Sequence, residues 1–317
     1  MFLIILLGLF LILNYLYKKT NHYKNSINQL QKYLKGVPKD LEIVNTGSSY
    51  ARYAFDYSHT DSKGFNFGLQ PQSLSYDFRI LKQYTPNLQE GCIVLITLPN
   101  LVFGFSDYEN DNSNTKYYYF LESENILGYS KFKHLVRVTF PVLSSKKNVF
   151  RIIKDVPLDT SYNQDENLMA EEQVHNNALS RVEGWKKQFH LSNTIHSNAA
   201  NELEKEFEDT TSLLNEMVEY CFDKGLKPAI VVPPTSSIIN DLLSEEFMKR
   251  VLYDNIEKAN KGRVPVLDYL YDNRFQDYKL YINSDILNRM GREKFTKVVM
   301  SDLEKIDFLK GEDYGEI

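Results

Sequence analysis

The sequence predicts an α/β protein with a mostly parallel sheet and helices on both faces. Towards both ends of the chain, short apolar runs alternate with segments whose apolar residues recur at helical spacing. This alternation is typical of parallel strands joined by crossover helices. The run GCIVLITLP, residues 91–99, is continuously apolar, as expected of a strand buried on both faces of a sheet. The chain has 317 residues, 43% of them hydrophobic, which is enough for one large core.

The first half of this pattern begins after residue 40. Leu74, Phe78 and Leu81 recur at helical spacing and predict a helix. The predicted order is strand, turn, helix, strand, helix, strand, in the runs LEIV, GSS, YARYAF, GFNFGLQPQ, SLSYDFRILKQY and GCIVLITLP.

The second half resumes near residue 201, with Gly225 as a predicted helix C-cap and Ser244 as a predicted N-cap. The predicted order is helix, strand, helix, strand, helix, in the runs NELEKEFEDTTSLLNEMVEYCFDKG, KPAIVVPP, SEEFMKRVLYDNIEKAN, VPVLDYL and GREKFTKVVMSDLEKI. Between the halves, residues 101–197 form an irregular, tyrosine-rich insertion. Within it, YYYFLESENIL is interpreted as a helix and LVRVTFPVL as a strand.

The N-terminus predicts attachment to a membrane. Residues 1–17 carry no charge and have the length of a short single-pass transmembrane anchor. Residues 18–40 form a stem with six lysines, which can lie against anionic lipid headgroups. Residues 41–317 form the α/β domain. By the positive-inside rule, the stem from Lys18 to Lys39 favours the cytoplasmic side.

Several classes of function are disfavoured. The net charge of −5 gives no basic face for a nucleic-acid partner. The six histidines show no metal-ligand spacing, so no metal and no cofactor are predicted. Cys92 and Cys221 lie in apolar surroundings and are interpreted as buried thiols.

A serine turn follows the first predicted strand. Ser48 and Ser49 lie just past its carboxyl end, where parallel sheets place functional groups, and Gly47 allows a tight turn. Such a turn can expose a serine hydroxyl, with backbone N–H groups ready to bind an oxyanion. The alternative is that TGSS only caps a helix.

Five segments occur in an order that resembles the SGNH/GDSL hydrolase superfamily. They are NTGSSYARYAFDY, FNFGLQPQSLSYDFRILKQY, GCIVLITLP, GLKPAIVVPP and VPVLDYLYD…NSDILNRMGREKFT. The resemblance is closest to bacterial envelope and polysaccharide-locus members related to the D-alanyl-lipoteichoic acid protein DltD. It implies a three-layer α/β/α, flavodoxin-like fold with Ser49 as nucleophile. It also implies oxyanion donors at the Ser49 N–H, Gly68 and Asn100, although LPNLVFG departs from the family's glycine-x-asparagine pattern.

The last segment breaks the family's pattern D-x-x-H-L-N. Leu287, Asn288 and a following Gly291 match. Asn283 stands where the aspartate belongs and Ile286 where the histidine belongs. Isoleucine accepts no proton, and without a general base a serine hydroxyl is a poor nucleophile at neutral pH.

Three hypotheses follow. In the first, a protein with a degenerate triad binds a glycan or an acyl donor. In the second, an active O-acyl esterase or acyltransferase of polysaccharide uses Ser49 with a replacement base, for which Asp285, His59 and His196 are candidates. In the third, the protein is a non-catalytic assembly partner of a membrane polysaccharide machinery. The family resemblance favours an extracytoplasmic domain, in conflict with the lysine stem.

Overall fold

A computed structural model describes residues 2–104, 113–155, 169–188 and 204–306. The chain divides into two compact units. The smaller unit comprises Met1–Val37 and Tyr108–Tyr162, and the larger comprises Pro38–Asp107 and Asn163–Ile317.

The helices are numbered in chain order across both units. They are α1 Phe2–Lys19, α2 Asn21–Asn28, α3 Gln31–Leu34, α4 Ser49–Ala54, α5 Leu74–Tyr84, α6 Lys131–His134, α7 Lys147–Lys154, α8 Glu171–Gln188, α9 Glu204–Asp223, α10 Ser237–Asn240, α11 Glu245–Met248, α12 Asp254–Asn260 and α13 Arg289–Lys305.

The larger unit is built on a five-stranded sheet in which every neighbouring pair is parallel. The strand order is β2-β1-β3-β4-β5, which is the order of a flavodoxin-like sheet. The strands are β1 Leu41–Thr46, β2 Gly64–Asn66, β3 Leu88–Thr97, β4 Lys227–Val232 and β5 Val266–Asp268. The predicted mostly parallel sheet is therefore confirmed.

Helices cover both faces of this sheet, as predicted. On one face, Leu95 and Val231 pack in a single cluster with Phe55, which follows α4, and Phe295 of α13. Successive residues of a strand point to opposite faces, so Val94 and its neighbours in register face the other layer. That layer contains α5 and α9, whose Phe78 and Tyr220 rings meet edge to face with centroids 5.3 Å apart.

Two details differ from the sequence prediction. The run LVRVT forms a π-helical turn, Leu135–Thr139, instead of a strand, and continues directly from α6. Ser113–Tyr119, which overlaps the segment expected to be α-helical, is a 3-10 helix. The β-propensity of a few branched residues is a weak signal that local helical hydrogen bonding overrides here. The Ser244 cap is present, since its hydroxyl accepts from the Phe247 N–H at 3.1 Å.

The smaller unit packs α1 against the segment that precedes and includes α7. Asn14 is buried and uses both ends of its amide: Nδ2 donates to the Thr139 carbonyl at 3.1 Å, and Oδ1 accepts from the Val142 N–H at 3.4 Å. The rings of Phe10 and Phe140 lie 5.2 Å apart. Within the described part of the chain, no helix combines the length and the apolar character that crossing a membrane requires. The anchor expected over residues 1–17 stays a prediction.

Candidate functional site

The turn after β1 depends on a glycine. Gly47 has φ +131°, and a Cβ there would lie 2.6 Å from the Cβ of Ala51. Its N–H donates to Asp77 Oδ1 at 2.9 Å, and its carbonyl accepts from Gln72 Nε2 at 3.1 Å. A side chain at position 47 would therefore disturb a turn that is braced from two sides.

The serines follow this turn directly. Ser48 occupies the N-cap position of α4, and its hydroxyl makes no capping hydrogen bond. Ser49 is the first residue of the helix and is partly buried. Capping by the Ser48 side chain, the alternative explanation of this motif, is therefore not what the turn shows.

Gly68 packs against α4 but does not present a free donor. Its N–H donates to Asn66 Oδ1 at 2.8 Å. A Cβ at position 68 would lie 2.6 Å from the Arg52 backbone nitrogen, so the glycine permits close approach of the loop to α4. The N–H that the resemblance assigns to the oxyanion thus donates to a side chain of the protein in this structure, and the oxyanion role of Gly68 stays a prediction.

Unpartnered polar atoms collect where β1 and β3 end. Asn100 is only 2% exposed, and its Nδ2 has no hydrogen-bond partner. Among the described residues, nine buried side-chain atoms lack a partner, and three of them, Thr46 Oγ1, Thr97 Oγ1 and Asn100 Nδ2, lie at or just past the ends of these strands. Two more, Gln72 Oε1 and Asp285 Oδ1, belong to side chains that hydrogen-bond to residues of the turn and helix that follow β1. Buried polar groups are normally satisfied, so a cluster of exceptions suggests that a ligand or water completes it.

The loop before α13 matches the resembled pattern in its structural residues. Tyr281 and Leu287 form an antiparallel bridge. Asn288 Oδ1 accepts from the Gly291 N–H at 2.9 Å and so caps α13. A Cβ on Gly291 would lie 2.2 Å from the Leu280 carbonyl oxygen, so only glycine fits. These residues close the loop and start the helix.

The two positions that would complete a triad have structural roles instead. Asn283 Oδ1 accepts from the backbone N–H groups of Asp285 at 3.1 Å and Ile286 at 2.8 Å. Ile286 is a buried apolar side chain. The asparagine therefore holds the turn, and neither side chain can move a proton.

Asp285 is held by a cation and a phenol. Its side chain has no exposed surface, and its Oδ2 accepts from Tyr50 Oη at 2.5 Å and from Arg181 Nε at 2.8 Å. The same oxygen forms an ion pair with Arg181 Nη2 at 2.8 Å. Burial and the Asp285 carboxylate raise the pKa of Tyr50 well above its usual range. Burial disfavours the charge on Arg181, but the carboxylate and Tyr50 more than offset it and raise the pKa of Arg181. Because Tyr50 follows Ser49, this contact joins the serine turn to the 283–286 loop.

Helix α8 also hydrogen-bonds to the 283–286 loop through a second residue. Asn177 Oδ1 accepts from the Ser284 N–H at 3.2 Å and from its hydroxyl at 2.9 Å. Arg181 lies one turn further along α8. From the other side, Ser236, in the loop after β4, donates its hydroxyl to the Ser284 carbonyl at 2.6 Å. The loop that would carry the catalytic histidine is thus bound from two directions.

The three candidate replacement bases differ in their surroundings and in whether the structure describes them. Asp285 is engaged as described. His59 is exposed at the end of a 3-10 turn, Tyr57–His59. His196 lies outside the described residues. Within the described part of the chain, no group of three or more histidines, cysteines and acids is placed to hold a metal ion.

Sequence reasoning missed Tyr50, Asn177 and Arg181. Tyr50 could have been noticed, since it directly follows the GSS run at the start of α4. Asn177 and Arg181 lie 107 and 104 residues before their partners, in a polar stretch without a motif. A helical reading of residues 171–188 would have placed them on neighbouring turns, but nothing local identifies their partners.

A separate cavity of about 320 Å³ lies between α9 and α12. Phe207, Thr211, Asn255 and Lys258 are among its lining residues. It contains none of the residues of the serine turn or the 283–286 loop.

Comparison with known proteins gives one kind of similarity. No protein-family model matches the chain, and no curated protein matches it. Among solved structures, it is similar to a candidate acylhydrolase from Bacteroides fragilis NCTC 9343, with 10% identity and a TM-score of 0.39. That match covers 88% of this chain and 97% of the other. At this identity and TM-score the match supports no conclusion about fold, residues or activity.

Proposed function

We propose that this chain is a membrane-associated, SGNH-hydrolase-like protein of the bacterial envelope or of exopolysaccharide biology, with a degenerate triad. Its serine turn binds an acylated glycan or an acyl donor without rapid turnover. The domain lies on the extracytoplasmic side, as in the family it resembles.

The observation that carries the proposal is the set of unpartnered polar groups beside the serine turn. Asn100 keeps a buried amide donor without a partner, at the carboxyl end of β3. In a sheet of this order, β1 and β3 flank the switch point where ligands bind. A carbonyl oxygen of an ester would supply the missing acceptor, since amide donors of this kind stabilise such oxygens. This supports an acyl-bearing ligand.

The absence of a base from the matching positions supports binding over turnover. Ile286 cannot accept a proton, and Asn283 uses its oxygen to hold the turn. A serine site that has lost its histidine retains binding and oxyanion effects but loses several orders of magnitude in rate.

The contacts of Asp285 make it a poor substitute. Its Oδ2 accepts hydrogen bonds from Tyr50 and from Arg181 Nε, and it forms an ion pair with Arg181 Nη2. A carboxylate paired in this way gains little by taking a proton from a serine hydroxyl, whose pKa lies far above its own. The contact supports the degenerate-triad hypothesis over the rewired one.

The experiment compares hydrolysis of p-nitrophenyl acetate by the full chain, by Ser49→Ala and by the double variant Asn283→Asp/Ile286→His. A fluorophosphonate probe, which labels activated serines, is applied to the same three proteins. We expect the native chain and Ser49→Ala to hydrolyse the ester equally slowly and to remain unlabelled. The double variant should gain turnover and labelling, and both should disappear when Ser49→Ala is added.

Two outcomes would contradict the proposal. Labelling and turnover of the native chain that Ser49→Ala abolishes would mean that a replacement base exists, and the protein would be an active esterase or acyltransferase. Failure of the folded double variant to gain labelling would mean that Ser49 does not face position 286. Mass spectrometry of the labelled peptide identifies the serine that reacts.

A further inference from the structure

Helix α1 of the smaller unit exposes apolar side chains to solvent and buries a polar one. Its buried side faces the 139–152 segment and includes the polar Asn14, whereas its other sides expose apolar side chains. The exposed set is Ile5, Leu6, Leu7, Leu9, Leu11, Ile12, Leu13, Tyr15 and Leu16. Soluble proteins rarely expose so large a contiguous apolar surface.

Helix α7 also exposes apolar side chains to solvent. Its Ile152 packs in a cluster with Tyr17 and Val142, which orients the helix. The opposite side, which we call the α7 face, consists of Val149, Phe150 and Ile153. Phe150 is 67% exposed and Ile153 is 79% exposed.

The segment before α7 exposes further apolar side chains. Phe132 in α6 is 74% exposed, and Leu135 and Leu143 are also exposed. These residues and the α7 face lie within residues 131–154 of the same compact unit as α1. The exposed apolar surface therefore does not end with the N-terminal helix.

The two units differ in net charge. Met1–Val37 and Tyr108–Tyr162 contain 13 lysines and arginines and six aspartates and glutamates, a net charge of +7, which leaves −12 for the larger unit. Lys146, Lys147 and Lys154 flank the α7 face and are exposed, and Lys131 is exposed beside Phe132. Apolar side chains rimmed by cations are the pattern of a helix that lies in the interface of an anionic membrane.

We propose that residues 131–154 form a membrane-contacting surface, in which the α7 face and Phe132 enter the headgroup region of an anionic bilayer. The flanking lysines bind the lipid phosphates. This surface is additional to the N-terminal helix, and it does not depend on the chemistry of Ser49.

A bilayer fits these observations better than other occupants. A nucleic acid would satisfy the cations, and its bases can stack on phenylalanine rings, but it offers no apolar phase for the exposed Leu135, Leu143 and Ile153. A second copy of this surface would bring seven lysines and arginines, with no acid among residues 131–154, against the same set, which like-charge repulsion disfavours. An anionic bilayer satisfies both the apolar and the cationic groups.

The test places a reporter on the α7 face of the full chain. Ile153→Cys is labelled with the environment-sensitive dye NBD, and the matched control is Phe222→Cys, an exposed aromatic position on α9 of the larger unit. The native Cys92 and Cys221 are buried, and burial raises the pKa of each thiol to about 12, so they resist labelling. Vesicles contain either phosphatidylcholine alone or phosphatidylcholine with phosphatidylglycerol.

We expect the dye at position 153 to shift to shorter wavelength with anionic vesicles and to be quenched by lipids carrying shallow spin labels. The dye at position 222 should not respond. The double variant Phe150→Asp/Ile153→Asp should lower partition into anionic vesicles roughly tenfold or more. The double control Leu179→Asp/Phe222→Asp, with the same charge change, should leave partition unchanged.

Three results would overturn the proposal. One is an aqueous emission at position 153 while the chain is bound to vesicles, which would mean that α1 alone contacts lipid. Another is an equal effect of the two aspartate pairs on partition. The third is a vesicle-independent blue shift that Phe150→Asp abolishes together with self-association, which would make a second copy the occupant.

Discussion

Arg181→Met should destabilise the larger unit through Asp285. The substitution keeps most of the length and apolar bulk of the arginine but removes its charge and its donors. The Asp285 side chain, which has no exposed surface, would then keep only the Tyr50 hydroxyl as a donor. A buried carboxylate without its cation is costly.

The magnitude follows from the burial of the two partners. Breaking a fully buried ion pair from one side costs about 3–5 kcal/mol. The Arg181 side chain is 39% exposed, so solvent already screens part of the pair. We therefore expect a loss of about 2–3 kcal/mol, equivalent to a fall of roughly 5–10 °C in Tm for a domain of this size.

The assay uses the single tryptophan of the chain. Trp185 lies on α8 one turn beyond Arg181 and is buried with Val182, so its fluorescence reports on the packing of α8. Thermal unfolding of the full chain is followed at this residue for the native protein and for Arg181→Met. The control is Arg289→Met, which removes an exposed pair with Glu293 and should cost at most about 1 kcal/mol.

A double-mutant cycle separates the pair from the packing. Arg181→Met combined with Asp285→Asn should recover about 1–2 kcal/mol relative to the sum of the single changes, because no buried charge remains. Coincident unfolding curves for Arg181→Met and Arg289→Met, or strict additivity in the cycle, would refute the reasoning about Asp285.

Two further predictions concern the turn and the smaller unit. Gly47→Ala should lower the free energy of unfolding by about 2–4 kcal/mol, because residue 47 has φ +131° and the new Cβ would contact Ala51. Gly225→Ala should lower it by about 1 kcal/mol, because residue 225 has φ +66° but the nearest atom lies 4.0 Å from the new Cβ. Equal Trp185-detected midpoints would contradict this. Burial and Arg151, opposed by Asp155, hold the pKa of His22 below its usual 6.5. Because the folded unit disfavours protonation of His22, the contribution of this residue to the unit's stability is present above pH 6.5 and is lost as the pH falls below that value. Protection of residues 139–155 from hydrogen exchange, corrected for intrinsic rates, should fall between about pH 7 and pH 5.5 in the native chain but not in His22→Gln. An identical decline in both proteins would exclude His22 as the cause.

The sheet could be predicted because its signals are local. The apolar run at 91–99 and the helical spacing in α9 each report burial within a few residues, and short connections leave few topologies for them. The LVRVT run shows the limit of this approach. Five residues with two valines and a threonine are compatible with a strand, and only their position directly after α6 makes them helical.

The candidate site likewise has a part that local sequence signals predict and a part that they do not. Ser49 and Asn100 could be placed at one edge because the carboxyl ends of parallel strands meet there. The contact of Arg181 with Asp285 spans 104 residues and joins a helix in a polar stretch to a loop, and no periodicity encodes such a pairing. The bonded state of Gly68 depends on Asn66, two residues away, in a loop whose geometry the sequence leaves open.

Asn283 has a structural role that either an asparagine or an aspartate can fill. Its Oδ1 accepts two backbone hydrogen bonds that shape the 283–286 turn. A carboxylate has the same acceptor geometry, so Asn283→Asp would keep both bonds while adding a charge. The turn can therefore form with either residue at position 283, and the two residues differ only in the charge of the side chain. Asp285 would remain paired with Arg181 after this change, which leaves the new carboxylate free to orient a histidine at position 286. The loop is thus compatible with an aspartate at position 283 and a histidine at position 286, so the double variant Asn283→Asp/Ile286→His tests Ser49 without disturbing the turn.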